Sequence, residues 1–224
     1  MAITYTAWPT VTFVRGLLAS TQVSLPSGVT DDIVQSRIDS RVAEVGRRTR
    51  REFLTTTETR QFNGSGTGEM VVSDYRSISA IQFYLTAGIG AVSLAQWQEV
   101  SVDAGPKNRI HIFAGPAFAS AGYYNNFPEG RSNVAITATW GYADSIPQDV
   151  WNSVAEAAAA DIVDGLKITN GGVQTSIKDD DVTLSFSQEM LSNLSRWGAN
   201  FEGVCKRYTR DLGTFMARKR EHLI

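Results

Sequence analysis

The apolar positions of this chain change period more than once. From Thr30 onward, Ile33, Val34, Ile38, Val42 and Val45 recur every three to four residues, the spacing that lines one face of a helix. Thr30 before Asp31-Asp32 reads as an N-cap with acids in the first turn, where the helix dipole favours negative charge. Arg47, Arg48, Arg50 and Arg51 crowd the opposite pole. The pattern predicts an amphipathic helix over about residues 31–53. The residues before it are mixed and predict an irregular segment ending in the loop "SLPSG", Ser24 to Gly28.

Beyond that helix the period falls to two. "TTTETRQF" alternates and is β-branched, "NGSGTGE" reads as a hairpin turn, and "MVVS" resumes a strand. Ile78 to Leu85 forms a further run, Trp97 to Val102 and Arg109 to Phe113 flank the turn "DAGPKN", and Asn133 to Trp140 closes the set. Short strands punctuated by Gly, Pro and Asn predict an antiparallel β-domain, either a sandwich or a partly open barrel. The long aromatic-bearing loop from Ala114 to Arg131 interrupts it, and loops of that length usually carry function or order against a partner.

At Trp140-Gly141-Tyr142 the strand pattern stops, and after Pro147 a helical one begins. Val150, Trp151, Val154, Ala157, Ala158, Asp161 and Ile162 predict a helix over about 147–165, with Pro147 suited to its first turn. Gly141 permits the turn, and the alanines Ala157 to Ala160 let another helix approach closely. "GGVQTSIKDDDVTLSFS" predicts a β-hairpin near 173–186 and Gln188 to about Asp211 a last helix, leading to the tail "GTFMARKREHLI". The fold class is α+β: helices around an inserted antiparallel β-domain. The expected divisions are 1–54, 55–141, 142–212 and a basic tail at 213–224.

Composition adds one asymmetry. The net charge is −2, yet residues 196–220 hold seven Lys and Arg against only Glu202 and Asp211. An acidic body with a basic end suggests that the end meets something acidic; a solvated helix and tail is the other reading. The arginine cluster at 47–51 likewise fits nucleic-acid binding, dipole complementation or interface salt bridges. The single cysteine, Cys205, excludes an internal disulfide and reads as inert packing. The N-terminus lacks the pattern of a signal peptide. Ser77 to Gln98 is uncharged and long enough to cross a bilayer, but its alternation and glycines make it strand and turn, so no membrane segment is expected.

Catalytic chemistry finds little support. The glycines of "NGSGTGEM" precede a strand, and a phosphate cradle needs a helix N-terminus after them. The Asp179–Asp181 turn lacks the glycine and the twelfth-position glutamate of an EF-hand. His111 and His222 lie far apart, Cys205 has no second cysteine for a metal site, and there is no G-x-S-x-G elbow. His111, in "RIHIF", reads as an exposed sheet residue. A hydrolase would need carboxylates such as Glu69, Asp74, Glu99, Asp103 or Glu129 to converge in the fold. A carbohydrate-binding or adhesin-like module would use Trp97, Tyr123, Tyr124, Phe127 and Trp140 as stacking rings.

Three segments in order, "DDIVQSRIDSRVAEVGRRTRREF", "TRQFNGSGTGEMVVSDYRSISAIQFY" and "NVAITATWGYADSIPQDVWNSVAEAAAADIV", followed by "VQTSIKDDDVTLSF" and a helix ending in "CKRYTR", carry a resemblance. Over about residues 30–212 the chain resembles the head–tail connector (adaptor) proteins of tailed bacteriophages. It departs from compact members in its larger β-domain, and its first thirty residues have no counterpart.

The resemblance implies a non-enzymatic virion protein without cofactor or metal, assembled in the bacterial cytoplasm. It would form a homo-oligomeric ring, a dodecamer, beneath the portal protein, through which DNA passes without sequence-specific binding. The ring would present a surface to a neck or tail-completion protein. The resemblance assigns the three helices to the ring body, with Arg47, Arg48, Arg50, Arg51 and Trp151 at the subunit interface. Arg207, Arg210, Arg218, Lys219 and Arg220 would contact the portal. Another neck or tail-completion ring protein is the nearest alternative.

Overall fold

A helix stands where the sequence predicts irregular chain. In the computed structural model, which describes residues 4–21, 23, 25–84, 92–93, 97–100, 106–112, 126–168, 176–179, 182–185 and 188–210, α1 spans Val11–Ser20. Thr10 caps it, its Oγ1 accepting from the Phe13 N–H at 3.3 Å. Val11, Thr12 and Val14 are weak helix formers and Gly16 is weaker still. Burial of Val14 and Leu18 in the core decides the outcome and overrides local preference.

The chain divides into two units, Met1–Arg51 with Ile146–Ile224, and Glu52–Ser145. The first is helical. It holds α1, α2 (Asp31–Thr49), α3 (Gln148–Ile168) and α4 (Gln188–Tyr208). Its core joins Val14 and Leu18 to Val34 and Ile38 of α2, to Ala155, Ala158 and Ala159 of α3, and to Trp197 of α4. The fully buried alanines allow close helix packing, as their spacing predicts.

Three helix ends differ from expectation. α3 runs on to Ile168, past 165. α2 stops at Thr49, not near 53, because Arg50 turns left-handed (φ 56°) and its N–H bonds the Gly46 carbonyl. Thr30 does occupy the N-cap position but makes no side-chain cap bond; Asp31 instead accepts from Arg15 Nε at 2.7 Å. The last helix ends at Tyr208, and the chain after it folds inward, with the Arg210 N–H donating to the Thr49 carbonyl at 3.0 Å.

The second unit is a mixed-length antiparallel sheet. Its strands are β1 (Thr56–Gly64), β2 (Glu69–Phe83), β3 (Val92–Ser93), β4 (Trp97–Val100), β5 (Lys107–Ile112) and β6 (Gly130–Trp140). The order is β1-β6-β2-β5-β4, with β3 pairing β2. β6 therefore lies between β1 and β2, and "NGSGTGE" is not the turn of a hairpin between paired strands, as the sequence predicts. The connection passes over β6, where Gly64 lies so close to the Pro128 carbonyl that a Cβ would stand 1.7 Å from its oxygen.

"MVVS" and Ile78–Leu85, expected as separate strands, are one continuous strand to Phe83. Register shifts between Tyr75 and Ser77 and between Ile78 and Ala80 mark two bulges in β2. With the extra residues, Tyr75, Ile78, Ile81 and Phe83 all face inward opposite Trp140, Ala138, Ile136 and Val134. The bulges conceal the alternation in the sequence while preserving it in space. In the helical unit's chain, β7 (Ser176–Asp179) and β8 (Val182–Ser185) pair as the expected hairpin. Together these elements make the protein mixed α+β.

Candidate assembly surface

The residues assigned to a subunit interface separate into engaged and exposed groups. α2 buries Val34, Ile38, Val45 and Thr49, leaving its arginines on the flanks and the far side. Arg48 turns toward α4, where its Nη1 meets Glu202 Oε1 at 2.6 Å and its Nη2 bonds Oε2. Arg41 binds Asp161 of α3 through Nε at 2.7 Å and also through Nη2. Both guanidinium groups lie over the Phe201 ring, at 5.2 and 5.9 Å from its centroid. This cluster clamps α2, α3 and α4 together. Its charge pairing raises the arginine pKa values further and holds the Glu202 carboxyl below the ordinary carboxylate range, through the hydrogen bond from Arg48.

Arg51 is also committed inside the chain, its Nε donating to the Tyr208 carbonyl at 2.7 Å. Trp151 is buried, stacked on Tyr5 at 4.5 Å and edge-on to Phe13 at the same distance, and its indole N–H reaches the Ala7 carbonyl at 2.9 Å. Arg47 and Arg50 are exposed, and neither forms an ion pair among the described residues. Of the residues assigned to the portal, Arg210 is buried. Arg207 is exposed and donates to Asp149 Oδ2 at 2.8 Å. Arg218, Lys219 and Arg220 lie outside the described residues.

A shallow groove of about 360 Å³ runs between α3 and α4. Asp149, Asn152 and Glu156 edge it from α3, and Ala199, Asn200, Gly203 and Arg207 from α4. The sequence reading does not assign it, although Asp149 and Glu156 stand seven positions apart on one side of α3. Asp149 is held by Arg207, by the Tyr208 hydroxyl at 2.9 Å and by the Val150 N–H at 3.0 Å. Glu156 accepts from the neutral Asn200 amide at 3.1 Å. Seven helical residues separate the two carboxylates by roughly 10 Å along the axis, so they do not share a proton as an acid–base pair would.

The other chemical candidates resolve as structure. Phe127 and Trp140 are fully buried, which removes them as stacking platforms for a sugar. Tyr123 and Tyr124, and the side chain of Trp97, lie outside the described residues. Glu69 pairs with Arg109 at 2.7 Å and sits 3.7 Å from His111 Nε2, on a partly exposed sheet surface. Asp74 is buried and Glu129 exposed, while Asp103 and the Glu99 side chain are outside the described residues. Among the described residues no cluster of three or more His, Cys, Asp or Glu could hold a metal. No helix among them is long and apolar enough to cross a membrane. Of the Asp179–Asp181 turn only Asp179, the last residue of β7, is described. Burial pushes the Cys205 thiol up, as suits inert packing.

No protein-family model and no curated protein matches the chain. Among solved structures it is similar to a chain from the neck of an empty GTA particle computed with C6 symmetry. The identity is 17%, the TM-score 0.48, and the likeness covers 88% of this chain and 94% of that one. It is also similar to a chain in the neck of the native particle computed with C12 symmetry, with 18% identity, a TM-score of 0.42 and the same coverages. In the virion of the native gene transfer agent (GTA) particle the values are 17% and 0.46, over 87% of this chain and 93% of that one.

Proposed function

We propose that the protein is a structural component of a phage-like virion, a head–tail connector that assembles as a ring in the neck. The observation that carries this reading is the order of elements. A helix with acids in its first turn, a β unit inserted at one point, an alanine-rich helix, a hairpin and a terminal amphipathic helix follow one another, in the order of the connector resemblance. The exposed arginines of α2 and the groove between α3 and α4 give the helical unit two different outward surfaces, as a head-to-tail ring contact needs. Two of the solved chains named above come from the neck of GTA particles and the third from a GTA virion.

On this reading the ring extends the channel beneath a portal protein, and a neck or tail-completion protein binds its far side. The excess of 20 Asp and Glu over 14 Lys and Arg before residue 196 suits a channel through which DNA slides without being retained. Chemistry at the surface is assembly and not catalysis. The test is co-assembly: the full chain mixed with a cognate portal should give a ring complex by native mass spectrometry or electron microscopy. Truncation after Asp211 should weaken that attachment and leave the circular dichroism spectrum unchanged. A full-length chain that binds no portal overturns the assignment.

A further inference from the structure

α2 and α4 each turn a long side to solvent. On α2 the exposed side carries Ser36, Ser40, Ala43 and Arg47, with Asp39 and Arg50 beside them. On α4 it carries Ser195, Arg196, Ala199 and Gly203. Gly198 and Gly203 sit inside α4, where a Cβ would meet nothing within 4 Å. Glycine weakens a helix interior, and no contact among the described residues calls for one at either place.

The charges on the two sides are complementary in one orientation. α2 is acidic at Asp39 and basic at Arg47 and Arg50. α4 is basic at Arg196, and its later half is flanked by Glu156 and Asp149 of α3 across the groove. Laid parallel with Asp39 at Arg196, Arg47 falls about 12 Å further along, at the level of Gly203. That level lies between Glu156 and Asp149. Among the described residues Arg47 and Arg50 lack an anionic partner and Glu156 lacks a cationic one.

Resting on the ring reading above, we propose that α2 of one copy docks along the α3–α4 groove of the next, with Arg47 seated over Gly203 between Glu156 and Asp149. The two surfaces are distinct, so the contact is head-to-tail and repeats around a closed ring. Gly203 leaves the space that the arginine side chain fills, and the small residues of both helices bring their backbones close.

Charge reversal on each side tests the contact in the full chain, with circular dichroism verifying that each variant is folded. Arg47→Glu with Arg50→Glu, and separately Glu156→Arg, should each abolish the ring seen by native mass spectrometry. Mixed together, the two variants should re-form rings in which they alternate, because intact α2 meets the intact groove and reversed α2 meets the reversed groove. Combining all three substitutions in one chain should restore higher oligomers. Rings that persist in both variants overturn the contact while leaving the ring reading intact. Loss of rings with neither mixed rings nor restoration overturns it as well. A wild-type chain that forms no ring, alone or on a portal, overturns the reading of function and this contact with it.

Discussion

Gly141 adopts φ +125°, and a Cβ there would stand 2.5 Å from the Leu54 carbonyl oxygen. No rotamer relieves that contact, because the backbone alone fixes the positions of both atoms. Gly141→Ala should therefore destabilise the β unit by about 1–3 kcal/mol, read as a lower urea midpoint of the strand signal. The sequence makes this glycine legible as the place where a strand ends, but its contact with Leu54 is a property of the fold. Trp140 beside it illustrates the opposite case. Met as an aromatic in a β-domain, it invites a role in stacking sugars. In the fold it is buried, with the Arg60 guanidinium 4.9 Å from its ring centroid and its indole N–H bonded to the Glu58 carbonyl at 3.0 Å. Neither partner adjoins it in sequence, so nothing local distinguishes a core tryptophan from a binding one.

Among elements, legibility follows how far local pattern and tertiary packing agree. α2 and α3 carry strong helical periodicity, and they stand close to where it puts them. α1 does not, because its β-branched residues and Gly16 favour other conformations and only the core around Val14 and Leu18 makes it a helix. β2 was hidden for a different reason: two bulges shift its inward side chains to spacings of three, so the period of two fails over one continuous strand. The α2–α4 clamp joins residues more than 150 positions apart and leaves no local trace. It also gives a pH signature. Glu202 is held below the ordinary carboxylate range, so its contribution is present at neutral pH and is lost as pH falls through that lowered value. Glu202 is well exposed, and the contribution is no more than about 1 kcal/mol. Glu202→Gln should be slightly less stable than wild type near neutrality, and the two should converge in acid, as urea denaturation at a series of pH values will show.

At the scale of the whole molecule, each unit has its own apolar core. The ends of the β unit are tied to one another: the Tyr142 N–H donates to the Glu52 carbonyl at 2.7 Å, and the Phe53 and Tyr142 rings lie 5.6 Å apart. Residues 52–145 expressed alone should therefore fold, giving a β-type circular dichroism spectrum and a cooperative melt; a spectrum without structure would show that the helical unit is needed. The sequence revealed that a β-domain interrupts the helices, since the change of period is abrupt at both ends. It could not reveal which surfaces the helices keep free, because that depends on which arginines find partners within the chain. The tie between Glu52 and Tyr142 has a consequence for descent. A unit whose two ends are fastened together can lengthen, shorten or be exchanged while offering the rest of the chain the same pair of attachment points. Lineages sharing the helical unit could then diversify the β unit as a cassette, meeting new neighbours without redesigning the helices.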